Sequence, residues 1–148
     1  LVMDWLRLFP AVDERYLGPK VPYYFLILVA VVSTTRTLIH VFAPDGGAGV
    51  IAGIEVNVQG GTNIIAIFGQ WGAVQLILAL LYWLVILRYW FLVPTMLGVV
   101  VIEQLFRIGV GRLKPLDITA RPPGAIGSEL LLPLAIIAWV WSLRREGG

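Results

Sequence analysis

The chain has no cysteine, a single histidine and few charged residues. Charged side chains make up 14% of its 148 residues. The missing cysteine excludes disulfide bonds, thiolate catalysis and iron-sulfur ligation, and one histidine, His40, is too few for a bis-histidine haem or a His-rich zinc site. We therefore expect no metal site, no catalytic residue and no cofactor.

The charges that are present are scattered along the sequence. Eleven basic and nine acidic residues give a formal net charge of +2, with no basic block of the kind that follows a nucleic-acid backbone. The sequence therefore predicts no nucleic-acid partner.

Hydrophobic residues make up 59% of the chain and predict an integral membrane protein. They concentrate in four runs, which we place at residues 21–43, 62–87, 91–111 and 128–143. At about 1.5 Å per residue the first reaches about 34 Å, enough for a hydrocarbon core of about 30 Å. The fourth reaches only about 24 Å. It therefore begins earlier, near Ala125, or the bilayer thins around it, or neighbouring helices partly shelter it from lipid. We expect one all-α domain over residues 1–148, an up-down bundle of four transmembrane helices.

Residues 1–20 precede the first run and are predicted to be an interfacial leader. Val2, Trp5, Leu6 and Phe9 recur at helical spacing, which is typical of a helix lying in the membrane surface.

Aromatic residues support four spans and an orientation. In an up-down path, ten tyrosines and tryptophans fall on the N-terminal side, the "belt face", and only Trp71 does not: Trp5, Tyr16, Tyr23, Tyr24, Tyr82, Trp83, Tyr89, Trp90, Trp139 and Trp141. Tyr and Trp collect at membrane interfaces, so this one-sided distribution supports four spans with both termini on the same face. Six basic residues lie on the belt face and four on the other, which favours cytoplasmic termini.

Two long connections, residues 44–61 and 112–127, define the opposite "loop face". Residues 54–59 and 116–119 alternate polar and apolar side chains, so they could pair as a small β cap over the bundle. Two solvated loops are the favoured alternative, because an isolated two-stranded ribbon is marginally stable.

Three polar residues of the apolar runs are predicted to lie at one depth. Arg36, Gln70 and Glu103 are each seven or eight residues from the loop-face end of their run, or about 10 to 12 Å below it. An unpaired charge near the membrane centre costs about 2.5 to 3.5 kcal/mol, so we expect Arg36 to pair with Glu103. Gln75 lies about 140° from Gln70 on the helix, and depth favours Gln70 as the residue facing the pair.

Further polar residues extend this prediction to a pocket open to the loop face. Ser33, Thr37 and His40 share one helical face with Arg36, while Arg107 follows Glu103 by one turn. His40 and Arg107 are expected near the mouth, balanced by Asp45, Glu55 and Glu129. The pocket is one interpretation, and the other is a buried charge pair that only fixes helix register. A stripe of Ala66, Gly69 and Gly72 predicts close helix packing.

Several short motifs resemble small bacterial four-helix membrane proteins of the DoxX-like kind, including their uncharacterised relatives. They are Phe42-Ala43-Pro44, a glycine-containing loop, Asn63 with Gly69 and Gly72, and Arg107 with Gly111-Arg112, within a similarity that covers Pro22 to Leu143. The resemblance implies a four-helix fold in a bacterial inner membrane. Some DoxX-like proteins are subunits of quinone-linked oxidoreductase systems, but this chain lacks cysteine and so departs from a redox pattern.

Three functions are compatible with the sequence. The favoured one is a non-catalytic accessory or assembly subunit of a larger membrane complex, with protein partners or further copies of itself. The second is a binding protein or carrier for a lipid, quinone or other amphiphile, with Arg36, His40 and Arg107 as anchors. The third is an enzyme on a membrane-dissolved substrate, with Glu103 or His40 as acid or base, although nothing in the sequence orients a nucleophile.

Overall fold

The computed structural model describes residues 15–118 and 120–144. This part of the chain forms four helices, each long and apolar enough to span a membrane, as in an integral membrane protein. Their bounds are Lys20–Phe42 (α1), Gly61–Leu87 (α2), Val93–Leu113 (α3) and Pro123–Ser142 (α4), with a 3₁₀ turn at Trp90–Leu92 before α3.

Proline and glycine set most of the helix ends. Ala43 is extended, with φ −68° and ψ 143°, because the residue before a proline, here Pro44, avoids the helical region. Gly60 precedes α2 at φ +88°, a left-handed conformation that glycine adopts without steric cost. Proline occupies the first turn of α3 and of α4, where its missing N–H has no intrahelical partner to lose.

The helices form two antiparallel hairpins, α1 with α2 and α3 with α4. The Tyr23 hydroxyl donates to the Ile86 carbonyl at 3.2 Å near the belt face, whereas Arg36 contacts Gln75 further along both helices. Fully buried Leu26, Tyr82, Leu97 and Val100 pack where the hairpins meet, in the half of the bundle nearer the belt face. The predicted all-α fold of four apolar helices is confirmed.

The structure decides two points that the sequence left open. The fourth helix has 20 residues rather than 16 because it begins at Pro123, in agreement with the predicted earlier start near Ala125. No strand occurs in residues 15–118 or 120–144, so residues 54–59 do not pair with 116–118 in a β cap. Of the predicted leader, residues 1–14 lie outside the described residues, as does Thr119 in the second loop.

The first loop folds against the helices. The Asp45 carboxylate accepts the backbone N–H groups of Val50 at 2.7 Å and Gly47 at 2.8 Å. The N–H of Ile54 closes the turn by donating to the Ala48 carbonyl at 2.9 Å. Ala48 is fully buried, so the first part of this loop packs against the helices, whereas residues 57–60 are exposed, as in the solvated loop favoured from the sequence.

Candidate functional site

Two arginines share one carboxylate inside the bundle. The Arg36 Nη2 atom of α1 lies 3.7 Å from Glu103 Oε1 of α3. Arg107 Nη1, one turn beyond Glu103 on the same helix, lies 3.8 Å from that same oxygen. The predicted pairing of Arg36 with Glu103 is therefore present in the structure, but Arg107 joins it, and the group carries a surplus positive charge.

Gln75 and Tyr82 of α2 complete the hydrogen bonds of this group. The Gln75 side-chain oxygen accepts from Arg36 and, at 3.4 Å, from Arg107, while its NH₂ group donates to Glu103 Oε1 at 3.2 Å. The hydroxyl of fully buried Tyr82 donates to Glu103 Oε2 at 3.1 Å. We call Arg36, Gln75, Tyr82, Glu103 and Arg107 the polar cluster.

Further contacts orient the two guanidinium groups. Arg107 Nε donates to the Ser128 hydroxyl of α4 at 2.9 Å. The guanidinium carbons of Arg36 and Arg107 lie 5.8 and 5.3 Å from the ring centroid of Trp71, within cation-π distance. Arg36 Nε is buried and has no hydrogen-bond partner in the described part of the chain. Both cations are thus held in place, with one carboxylate between them.

His40 lies on the loop side of the cluster. Its Nδ1 atom is 2.7 Å from the Gly46 carbonyl oxygen, and because a carbonyl only accepts, Nδ1 carries the proton. In the neutral ring Nε2 is then an acceptor. The ring centroids of His40 and Trp71 are 4.8 Å apart and the rings are tilted by 37°. Through Trp71, which lies against both cluster arginines, buried His40 connects the first loop to the polar cluster.

A cavity of about 820 Å³ lies between the polar cluster and the second loop. Arg36, Gln75, Glu103 and Arg107 are among its lining residues, together with many apolar side chains of α3 and of both loops. Among the described residues that line it, five are cationic and two acidic: Arg36, Arg107, Arg112, Lys114 and Arg121 against Glu103 and Glu129. The cavity is therefore an apolar chamber with cations at both ends: Arg36 and Arg107 share Glu103 at the inner end, and Arg112, Lys114 and Arg121 lie beside the second loop with Glu129.

The prediction that Gln70, rather than Gln75, faces the pair is wrong. Gln70 is exposed and is not part of the cavity lining. Equal distances from the helix ends do not give equal depths here, because the first residues of α2 extend beyond the end of α1 toward the loop face. Gly72, eleven residues into α2, is level with His40, two residues before the end of α1. The level of Arg36 is consequently reached at Gln75.

Four other predicted residues lie outside the cluster. Ser33 is half-buried and does not line the cavity, and Thr37 is buried but donates to the Thr34 carbonyl of its own helix at 3.0 Å. Glu55 is exposed and accepts the Asn57 N–H within the first loop. Glu129 lines the cavity and pairs with Arg121 at 2.5 Å. The expectation that Asp45, Glu55 or Glu129 balances Arg107 is wrong, since Glu103 does so.

Sequence reasoning missed Gln75, Trp71, Tyr82 and Ser128. Trp71 carried a usable signal, because it is the one tryptophan that the belt pattern left unexplained. Tyr82 was assigned to the interfacial belt, but its full burial and its bond to Glu103 place it in the core. Ser128 had no signal, because its position depends on the early start of α4.

The donors of this site suit an anion better than a metal ion. Guanidinium groups hold carboxylates and phosphates through charge-assisted hydrogen bonds. No group of three or more His, Asp or Glu side chains that could hold a metal occurs in residues 15–118 and 120–144. The arrangement can bind and orient a negatively charged group at the inner end of an apolar chamber.

Comparison with known proteins adds no assignment to this geometry. No family model matches the chain, and neither does any curated protein or solved structure at the significance applied. The resemblance to DoxX-like proteins stays a prediction.

Proposed function

We propose that this protein binds an anionic amphiphile, with the anionic group at the polar cluster and the apolar part in the cavity. The observation that carries the proposal is that Arg36 and Arg107 share Glu103 as their counter-charge. A ligand anion would neutralise the remaining charge.

The energetics of buried charge support an anionic ligand. A surplus cation below the membrane surface is costly, and residues that hold one are often functional. Arg36 Nε is a buried donor without a partner among the described residues, and a buried unpaired donor costs about 1 to 3 kcal/mol. A bound carboxylate or phosphate offers acceptors for guanidinium donors and would supply the negative charge that Glu103 alone does not.

The cavity supports an apolar component of the ligand. Its volume of about 820 Å³ falls within the range of about 300 to 1,000 Å³ that is usual for small-molecule sites. Ile51, Phe106, Leu116 and Ile118 line it beside the cationic side chains. A fully hydrophilic anion would leave these surfaces in contact with water.

This proposal develops the second function named from the sequence. The favoured prediction, an accessory subunit of a larger complex, stays a prediction, and binding an amphiphile is compatible with it. The cytoplasmic location of both termini and the bacterial inner membrane likewise stay predictions. Enzyme activity has no observation of its own in its favour.

Ligand-induced stabilisation tests the proposal. The purified protein in a neutral detergent is heated with hexadecanoate, with hexadecyl phosphate or with uncharged monopalmitoylglycerol. We expect the melting temperature to rise with at least one of the two anions and to stay unchanged with the uncharged lipid. A ligand at about 100 times its Kd stabilises by about 2.7 kcal/mol.

Variants locate the effect at the cluster. Arg36→Gln and Arg107→Gln should each weaken anion binding roughly ten- to hundredfold, because charge-assisted hydrogen bonds contribute about 1.5 to 3 kcal/mol, and Arg36→Lys should restore part of it. Lys20→Gln removes a charge from the other end of α1 and should leave binding unchanged. Equal stabilisation by charged and uncharged lipids, or an anion effect that survives in Arg36→Gln/Arg107→Gln, would contradict the proposal.

A further inference from the structure

The cavity has a side that faces the membrane, between α2 and α3. These helices are joined by a short turn on the belt face but make far fewer close backbone approaches than either makes within its own hairpin. At the level of the polar cluster, long side chains bridge them, through the bonds of Gln75 and Tyr82 to Glu103. Two helices held apart by side chains leave a gap toward the loop face.

Apolar side chains that line the cavity are also exposed along this gap. Phe106 of α3 is 69% exposed and Val110, one turn further, is 51% exposed. On α2 the corresponding residue is Trp71, 37% exposed. All three belong to the cavity lining, so accessible apolar surface of α2 and α3 extends along the open side of the cavity.

The other direction, toward the belt face, is closed. Directly below Glu103 the core consists of Tyr82, Leu97 and Val100, which have no exposed surface. A hydrocarbon chain attached to an anion at Arg36 cannot continue through this layer. Extending toward the loop face would bring the chain past the cationic side chains of Arg112, Lys114 and Arg121, whereas the gap leads toward the hydrocarbon of the bilayer, where an apolar chain is most stable.

We infer that the ligand is a single-chain amphiphile with a terminal carboxylate or phosphate, which enters sideways from the bilayer between Trp71 and Phe106. This inference rests on the proposed function and adds the route and the ligand class. The head group contacts Arg36 and Arg107, and the chain passes over Phe106 and Val110. The single chain is inferred from the chamber volume of about 820 Å³, part of which the head group occupies.

Photo-crosslinking with hexadecanoate that carries a diazirine in the part of its chain nearest the carboxylate tests the route. The full chain is reconstituted in phosphatidylcholine nanodiscs and illuminated, and the labelled residues are identified by mass spectrometry. Labelling is counted as site-specific when an excess of unlabelled hexadecanoate or hexadecyl phosphate removes it. We expect this labelling at Phe106, Val110 and the neighbouring lipid-facing side of α2, and we expect Arg36→Gln to abolish it.

A matched pair of bulky substitutions tests the gap itself. Phe106→Trp enlarges a gap residue, and Ile102→Trp enlarges an exposed residue of α3 outside the cavity lining. We expect site-specific labelling to occur at least roughly fivefold more slowly in Phe106→Trp and at an unchanged rate in Ile102→Trp. Equal rates would overturn the lateral route.

The remaining outcomes separate this inference from the proposed function. Site-specific labelling that depends on Arg36 but falls only on Ile51 or Leu116, beneath the loops, overturns the route and leaves anion binding intact. If neither unlabelled anion reduces the labelling by competition and no arginine variant reduces it, the proposed function is overturned as well. Competition by a two-chain phosphatidate as strong as that by hexadecyl phosphate overturns the single-chain assignment. Stronger competition by hexadecyl phosphate identifies a phosphate head group, and stronger competition by hexadecanoate a carboxylate, both in support of the inference.

Discussion

Gly72 of α2 lies directly against His40 of α1. A Cβ atom added to Gly72 would come within 2.5 Å of the His40 Cβ, 3.2 Å of the His40 carbonyl carbon and 3.3 Å of the Val41 nitrogen. Two of these three atoms belong to the backbone and cannot rotate away. The close packing predicted for the small-residue stripe is thus confirmed at Gly72, where it brings His40 and Trp71 into contact.

We expect Gly72→Ala to lower the free energy of unfolding by about 1 to 3 kcal/mol, the usual cost of overpacking a tight contact. Gly109→Ala is the matched control, because Gly109 lies within α3 and a Cβ there meets nothing within 4 Å. It should raise stability by about 0.5 to 1 kcal/mol, since alanine favours the helix interior. Reversible unfolding in mixed detergent micelles measures both, and equal effects would show that the α1–α2 contact is not tight.

Glu103 is the only acidic side chain among the described residues that contacts either cluster arginine. Glu103→Gln leaves Arg36 and Arg107 without a counter-charge and should cost about 3 to 5 kcal/mol, as is typical when one partner of a buried ion pair is removed. Arg36→Gln in the same background removes one of the uncompensated cations. The double variant should therefore be more stable than the sum of the single effects by about 0.5 to 3 kcal/mol. Additive effects on the free energy of unfolding would mean that the two residues do not interact.

Gln75 and Gln70 offer a comparison of two glutamines on one helix. Gln75→Leu removes three hydrogen bonds within the polar cluster and should destabilise by about 1 to 3 kcal/mol, because charged partners lose their bonds. Gln70 is exposed on the helix surface, so Gln70→Leu should leave stability unchanged or raise it slightly. The same unfolding measurement decides, and a larger loss for Gln70→Leu would contradict the assignment of Gln75.

Asp45 should make the first loop sensitive to acid. The backbone N–H groups of Val50, Gly47 and Gly49 stabilise its carboxylate and hold the pKa of Asp45 below its ordinary value of 3.8. Because the folded-state pKa is the lower one, the stabilisation is fully present above about pH 3.8 and is lost as the pH falls through the folded-state pKa.

A pH series of unfolding measurements on the native chain and on Asp45→Ala tests this. The difference in stability between them should be constant near neutral pH and should narrow below pH 3.8. Asp45→Asn cannot titrate, so its difference from Asp45→Ala should not depend on pH in this range. A difference between the native chain and Asp45→Ala that persists unchanged at low pH would count against the role of these hydrogen bonds.

The sequence was sufficient for the helices and for the pair of Arg36 with Glu103. Apolar length determines how many spans a chain can form, and a charge inside a span must find a partner. Glu103 is the one acidic residue in the interior of the four apolar runs, since Glu129 lies next to the start of the fourth. Arg36 therefore had few possible partners.

The remaining errors share a physical cause. Hydropathy locates a span along the chain but not the height of one helix relative to another, which depends on side-chain packing. The contact of Gly72 with His40 sets the height of α2 and selects Gln75, and the diproline before α4 brings Ser128 to Arg107. Residues 54–59 do not form the predicted strand, and their hydrogen bonds are local: the Ile54 N–H donates to the Ala48 carbonyl and the Asn57 N–H to the Glu55 side chain.

The closed layer of Tyr82, Leu97 and Val100 makes the bundle unequal across the bilayer. The polar cluster and the cavity therefore lie on the loop side of this layer, and the half of the bundle nearer the belt face is filled by apolar packing. On the proposed function, a bound amphiphile would meet lipid or water only on the loop side.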